Sequence, residues 1–372
     1  MEQASDFIII GGGCAGLSLA RRLAELGPSG PTVLVLEGRR RYFHDRCWCF
    51  WDEGKSALQG PRVAQRWERS EMFLGSAKVT VDCRKAPYSL IESGDFYAHA
   101  LTAVRGSSRV RLLTSCPAGC SLSFSKGLWG VHTPKGIFRA PSVIDTRMKP
   151  WRTGGATPLL WQSFLGFEIQ LDHPLFDPST ACLMDLEENS VHALEFLYLL
   201  PRTQKRALLE WTVFDPQPRT REDLMMPLKD AIARKLSGVP YRILRVEEGR
   251  IPMMFSGKQA AIPGVHDASL AGGSVRASSG YAYARIQQWA DECAQSLARG
   301  DATSFLFRDP EWMRRMDRCF LDWLVRRPSV APKRMFQLFR STSPEHLIPF
   351  LSGSGGPRDG WAIARAVFPS LF

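Results

Sequence analysis

Three groups of residues in this chain have the types and spacing to do chemistry. The first is Gly11, Gly13 and Gly16, followed by Glu37, 21 positions after the last glycine. Between a strand and a helix such glycines do different jobs. Gly11 allows the tight turn, Gly13 lets the backbone approach a pyrophosphate, and Gly16 lets helix pack on strand. The helix N-terminus then faces the phosphates, and Glu37 can accept from a ribose hydroxyl. A glycine-rich turn in any doubly wound sheet would share the spacing, and the fingerprint alone does not choose between FAD and NAD. The second group is the run from Ala271 to Gln288, holding Gly272, Gly273, Ser279 and Gly280, about 260 residues after the first loop. FAD enzymes of the hydroxylase type return a late strand–loop–helix to the flavin edge, which NAD dehydrogenases do not need. A plain connection between strand and helix is the competing explanation. The third group is Glu210, a lone carboxyl in Ala207-Leu-Leu-Glu-Trp-Thr-Val-Phe214. Desolvation between Leu209 and Trp211 would raise its pKa and keep it protonated near neutrality, as a general acid requires. A salt-bridged strand residue would look the same. Glu195, Asp185 and Glu247-Glu248 read as structural or surface acids.

The elements that must position these groups follow from hydrophobic period. Asp6–Ile10 and Thr32–Leu36 are apolar, β-branched runs of the kind buried in parallel sheets. Leu17, Ala20, Leu23 and Leu26 fall at helical spacing between them, closed by Gly27-Pro28, which completes a β-α-β unit. A helix is expected around Ser93–Val104, then strands at Val110–Thr114, Leu122–Phe124, Gly127–Thr133 and Val143–Asp145. From about Trp151 to Arg245 the texture is β-rich, with Phe196–Leu200 and Ala207–Phe214 as neighbouring strands. In the second of these Leu208, Glu210 and Thr212 share a face, so Glu210 points where Trp211 does not. Ala268–Ala271 is expected as a last short strand, Tyr283–Arg299 as a helix, and the rest from Asp301 as mostly amphipathic helix.

Composition sets the outer limits. The chain has 372 residues, 44% hydrophobic and 23% charged, enough for two or three packed units with a sizeable core and unlike a disordered chain. Its net charge of +11 suits nucleic acid, an anionic membrane surface or phosphate-bearing cofactors. Arg39-Arg40-Arg41 is the longest all-basic run, too short for a nucleic-acid arm. Nine cysteines, including Cys47-x-Cys49 and Cys116-x3-Cys120, lack a metal-binding spacing and read as reduced thiols. No metal is expected. Asp6–Ile10 begins at once, with no leader-like arrangement before it, and no window approaches 18 apolar residues. The expectation is a soluble or peripheral protein.

The run Asp45-Arg46-Cys47-Trp48-Cys49-Phe50-Trp51 has the composition of a core strand. Soon after a dinucleotide fingerprint, however, it closely resembles the Asp-Arg-x-Trp-Cys-Phe-Trp run of the bacterial flavin-dependent lycopene cyclase family. Other stretches resemble that family in its own order: Gly94-Asp-Phe-Tyr97, Val143-Ile-Asp-Thr-Arg147, Trp161-Gln-x-Phe-x-Gly166 and Met184-Asp185. The strand pair Phe196–Pro201 and Ala207–Phe214, Gly249-Arg-Ile-Pro-Met253 and Arg276–Gln287 complete the set, which covers residues 6 to about 300. Departures are Cys47 where the family commonly has Thr, Trp211 after the key Glu, and Leu186-Glu187-Glu188.

The resemblance implies an α/β (α+β) flavoprotein of hydroxylase-like fold. Residues 1–83, 99–150 and 246–300 would form a Rossmann-type FAD-binding domain, 84–98 and 151–245 a β-rich substrate domain, and 301–372 a helical C-terminal region. It also implies a redox-neutral, acid-catalysed closure of the ends of lycopene into β-rings. The cofactor would be reduced FAD, kept reduced by NAD(P)H. Glu210 would be the catalytic acid, with Trp211 and Phe214 as aromatic neighbours. Arg46 and Asp145 would join Gly11, Gly13, Gly16, Glu37, Gly272, Gly273, Ser279 and Gly280 around the cofactor. The alternatives are an FAD/NAD(P)H-dependent monooxygenase or reductase of polyenes, a cyclase of a different linear polyene, and a non-catalytic carotenoid or flavin binder. A water-insoluble substrate implies a cytoplasmic protein peripherally associated with a membrane. Trp312, Met316, Phe320, Trp323 and Leu324 form an apolar stripe among arginines that suits a membrane surface as well as it suits packing on the protein. Met335, Phe336, Leu338 and Phe339 form a second such stripe.

Overall fold

A computed structural model describes the chain except residues 1–4, 56–57, 59, 120, 149–157, 189, 255–261, 302–304 and 368–372. Cys120 and Trp151, named above, therefore lie outside the described residues. In chain order the first elements are β1 (Phe7–Ile10), α1 (Cys14–Glu25), β2 (Val33–Leu36), β3 (Cys47–Trp51) and β4 (Val63–Trp67). Then come β5 (Arg69–Leu74), β6 (Ala77–Asp82), β7 (Tyr88–Glu92), α2 (Ser93–Gly106) and β8 (Val110–Leu113). A meander follows, β9 (Leu122–Ser125), β10 (Leu128–Thr133) and β11 (Gly136–Ala140), and then β12 (Ser142–Asp145). The middle of the chain holds β13 (Leu160–Leu171), β14 (Thr180–Leu186), β15 (Leu194–Pro201), β16 (Arg206–Asp215), α3 (Arg221–Leu236) and β17 (Tyr241–Met253). The last part holds β18 (Val265–Asp267), α4 (Tyr283–Ala298), α5 (Glu311–Arg326), α6 (Ala331–Ser341), α7 (Pro344–Ser352) and α8 (Pro357–Val367).

β1, β2, β8, β12 and β18 form an all-parallel sheet, ordered β18-β12-β1-β2-β8. Such strands need apolar residues on both faces, and these have them. Ile9, Val33, Val35 and Ile144 pack under α1 and α4, while Ile8, Ile10, Leu34 and Val143 pack against the β9–β11 meander. The final strand of this sheet is Val265–Asp267, three residues earlier than the sequence suggests. Ala268 donates to the Asp145 carbonyl, but at Leu270–Ser274 the chain already coils into a tight helical turn. The pair of glycines at 272–273 lets that turn form where an apolar run suggested strand.

The second large sheet has seven strands, β17-β13-β16-β15-β14-β5-β6, antiparallel except between β14 and β5. Arg69–Asp82 thus joins this sheet, so strands from before and after residue 83 lie side by side in it. Its two faces bury different partners. Leu165, Phe167, Leu209, Trp211 and Val213 pack with Leu228 and Ile232 of α3. Leu160, Leu183, Phe196, Leu208 and Phe214 pack with α5–α8. The stripes on α5 and α6 are turned into this second core. Met335, Phe336, Leu338 and Phe339 are buried there, and Trp312, Met316, Phe320 and Trp323 are packed against it. Among the described residues no helix is long and apolar enough to cross a membrane.

β3, β7 and β4 form a small sheet between the two large ones. Strand alternation divides β3 cleanly. Trp48 and Phe50 join Leu17, Phe96, Tyr97 and Tyr283, whereas Cys47, Cys49 and Trp51 face the α5–α8 core.

Candidate active site

At the dinucleotide-type loop the structure brings Gly11, Gly13, Gly16, Glu37 and Asp145 to one end of the parallel sheet. Gly11 has φ of +99°, and a Cβ on Gly16 would sit 1.9 Å from the Gly11 carbonyl oxygen. Neither position admits a side chain. Gly13 differs, because nothing comes nearer its Cβ position than Arg39 Nη2 at 4.0 Å. That open space above Gly13 is what a phosphate needs, and next to it, against Gly12 and Glu37, the hydroxyl of Tyr42 is buried without a hydrogen-bond partner. These features fit a dinucleotide.

Glu37 Oε2 accepts from the Gly12 amide at 2.6 Å, and Oε1 from the Arg39 amide at 2.6 Å. The Arg39 guanidinium donates to both oxygens. Burial opposes charge here, but these donors outweigh it and hold the carboxyl below its ordinary range. With four acceptor directions in use, a ribose hydroxyl reaches Glu37 only when Arg39 swings aside. Asp145 is paired with Arg147 at 2.9 Å, and Thr146 ties β12 to the Ile10 and Gly11 carbonyls. Arg46 is exposed, pairs with Asp45 at 3.0 Å, and its charge is felt at Cys14, the first residue of α1.

The late glycine-rich segment links the two sheets. A Cβ on Gly272 would lie 2.3 Å from the Asp267 carbonyl oxygen, at the strand beside Asp145, and Gly273 has φ of +102°. Gly280, at φ +74°, leaves no room between itself and Gln162 of β13, where a Cβ would come within 2.0 Å of the amide oxygen. Arg276, fully buried, pairs with Asp317 of α5 at 3.0 Å and donates to the Phe350 carbonyl. Ser278 donates to the same aspartate at 2.8 Å.

Glu210 is not part of this cluster. It stands on β16 with Tyr198 of β15 and Gly166 of β13 as its register partners, on the face turned toward α5–α8. Thr212 donates to it at 3.1 Å. Burial, then the neighbouring Glu247, push its carboxyl up to about 8 against that one hydrogen bond. Tyr198 lines an apolar cavity of about 470 Å³ between sheet and helices. Phe214, Ser279, Tyr281, Phe320 and Trp323 line it too, so the stripe on α5 borders a cavity instead of an outer surface. A separate hollow of about 530 Å³ beside α4 carries Glu53, Lys55, Arg285 and Asp309 and has no residue of the large sheet in its wall. Its mixed charges suit no hydrocarbon. Trp211 lies on the opposite face, under α3, and cannot stack over anything beside Glu210. Glu195 shares that far face, in register with Val213, and Asp185 is paired with Lys235 at 2.9 Å.

Three residues that the sequence reading set aside or passed over gather here: Glu247, Gly166 and Tyr198. The alternation of Glu247 and Glu248 was the available signal, since the first is 4% exposed and the second is open to solvent.

Fold and site together define a Rossmann-type flavoprotein with the architecture of FAD-dependent monooxygenases, halogenases and reductases. The sequence matches the family described as lycopene cyclase protein over residues 6–371, and the chain belongs to that family. Among solved structures, a geranylgeranyl bacteriochlorophyll reductase-like protein from Thermoplasma acidophilum is similar with a TM-score of 0.65 and 15% identity, over 99% of this chain and 98% of that one. The p-nitrophenol 4-monooxygenase of Pseudomonas putida gives 0.64 and 14%, over 100% and 97%. A flavin-dependent brominase gives 0.63 and 12%, over 99% and 98%. At these identities the likeness is one of fold. No curated protein matches the sequence.

Proposed function

We propose that the protein is a lycopene β-cyclase, closing the linear ends of lycopene into β-rings without net oxidation. The observation that carries this reading is Glu210, a carboxyl pushed up to about 8 whose register partner Tyr198 lines an apolar cavity. At neutral pH it holds a proton that it can deliver to the terminal alkene, creating a tertiary carbocation. The neighbouring double bond attacks the cation, and loss of a ring proton restores neutrality. The apolar walls keep out water that would quench the cation, and the ring faces of Tyr198 and Phe214 offer it electron density.

Gly11, Gly13, Gly16, Glu37, Arg46 and Asp145, with Gly272, Gly273, Ser279 and Gly280, are the residues that would hold FAD. Reduced FAD, when bound, supplies negative charge near the reacting end and is not consumed. NAD(P)H is the reductant in this reading. The FAD domain comprises 1–83, 99–150 and 246–300 apart from the strands lent to the large sheet, 84–98 and 151–245 serve the substrate, and the helices α5–α8 of the region 301–372 roof the cavity. Peripheral association with a membrane, from the cytoplasmic side, belongs to the same reading. Trp361 is 54% exposed on α8 with Arg365 over its ring, and exposed Val325 and Val330 flank Arg326 and Arg327.

The test is anaerobic turnover of lycopene in liposomes with FAD and NADPH, following products by chromatography together with NADPH loss. Products of unchanged mass and far less than one NADPH per ring are expected. A mass change with matching NADPH use would replace the cyclase by a reductase. Glu210→Gln should cost at least about a hundredfold in turnover; undiminished cyclisation would remove Glu210 as the acid.

A further inference from the structure

We propose that Glu210 and Glu247 work as one carboxyl pair across Gly166, and that Glu247 is the positioning residue that keeps the proton on Glu210. The inference rests on the assignment of Glu210 as the acid and adds what holds it in that state. Glu247 of β17 and Glu210 of β16 are register partners of the same residue, Gly166 of the intervening strand β13. All three therefore share a face, with the two glutamate backbones about 10 Å apart. A side chain at Gly166 would fill the gap, because its Cβ would lie 3.2 Å from Glu210 Cβ and 3.4 Å from Cγ. With no side chain on Gly166 between them, the charge of Glu247 is felt at Glu210.

The two ends of the pair are held differently. Glu247 Oε1 is 2.6 Å from Arg245 Nη2, and Oε2 accepts from the Cys47 amide at 3.3 Å and thiol at 3.5 Å. Glu210 has one neutral donor, Thr212. The remaining titratable groups around the pair are Cys49 of β3, Tyr198 of β15, Tyr281 before α4 and Glu92 of β7, with His44 and Arg202 engaged by Glu92, and Arg202 and Arg206 by Glu168, two residues along β13. Arg245 is the cation that touches the pair, on the Glu247 side, and among the described residues no cation acts on Glu210, so charge settles on Glu247 and the proton on Glu210. Burial, offset in part by Arg245 and the Cys47 contacts, raises Glu247 only to about 7. The pair then titrates as a unit near neutrality, with apparent values that belong to both groups.

The experiment combines infrared titration of protonated carboxyls in the FAD-loaded protein with the pH–rate profile of cyclisation, for wild type, Glu247→Gln, Glu247→Asp and Glu210→Gln. Loss of the like charge in Glu247→Gln should lower the Glu210 titration by about one pH unit and move the alkaline limb of the rate profile with it. Glu247→Asp keeps the charge and should restore both toward wild type, which a merely structural role would not do. Unchanged Glu210 titration in Glu247→Gln overturns the pair and leaves Glu210 standing as the acid. Full activity in Glu210→Gln overturns the acid assignment itself, whatever the titrations show. If Glu247→Gln does not fold, Glu247→Ala, which removes the same charge, decides: a lowered Glu210 titration supports the pair, and an unchanged one overturns it.

Discussion

Glu168 and Glu210 stand on the same face of one sheet, on adjacent strands, and are driven in opposite directions. Glu168 is 1% exposed, yet Arg206 at 2.8 Å, Arg245 at 3.1 Å and Arg202 at 3.7 Å surround it. Burial pushes its carboxyl up, and the arginines outweigh burial and hold it below its ordinary range. Glu210 has a hydroxyl, a tyrosine and a second carboxyl around it, and is pushed up to about 8. Depth alone does not decide the charge of a buried acid; the nearest donors do. The sheet thus carries an acid held charged and an acid held neutral two residues apart along β13.

The sharpest way to break this contrast is Glu168→Gln. It removes the carboxylate shared by three arginines, of which Arg202 and Arg245 keep Glu92 and Glu247, and should cost about 1.5–3 kcal/mol in urea unfolding through the lost charge-assisted hydrogen bonds. A loss below about 1 kcal/mol would show that the charged acid is not structural.

Glu210→Gln should do the reverse, in a pH-dependent way. Below its unfolded value of 4.5 the wild-type carboxyl is neutral in both states, and the substitution is silent. As pH rises from there to about 8 the unfolded chain ionises first, so the wild type loses stability that a non-titrating glutamine keeps. The variant should gain on wild type across that window, at most by about 1.4 kcal/mol per unit of pH. Equal melting temperatures at pH 5 and pH 8.5 would contradict the raised value.

Gly166→Ala should act more gently. The added methyl presses on Glu210 Cβ and on Leu208, and we expect roughly tenfold slower cyclisation, about 1.4 kcal/mol of barrier, with flavin binding intact. The smallest effect belongs to Trp211→Phe. Its ring lies under α3, so turnover should stay within about twofold while stability falls by roughly 1 kcal/mol. A large loss of turnover would mean that the far face communicates with the acid.

The cofactor end was legible because its constraints are local. Gly11, Gly13 and Gly16 are dictated by a turn and a helix start a few residues long, and the chain order of β1, α1 and β2 follows from apolar period alone. Glu210 was also legible as a lone acid in an apolar strand. Its environment was not. Glu247 lies 37 positions further on and Cys47 lies 200 positions before Glu247, and only strand register brings them together. The same limit explains the α5 and α6 stripes. Period shows that one face of a helix is apolar, not whether a bilayer or a sheet covers it. At Ala268–Ala271 composition suggested strand where paired glycines permit a coil.

One consequence follows from the alternation of β3. Its odd and even residues serve different masters, Trp48 and Phe50 on the cofactor side, Cys47 and Cys49 on the acid side. Substitutions can change either row without touching the other. A single inserted residue cannot, since it would exchange the two rows at once. The strand therefore tolerates editing by replacement and resists editing by length, and natural variants should differ there in letters while keeping the count of residues from the first glycine loop to β3's end.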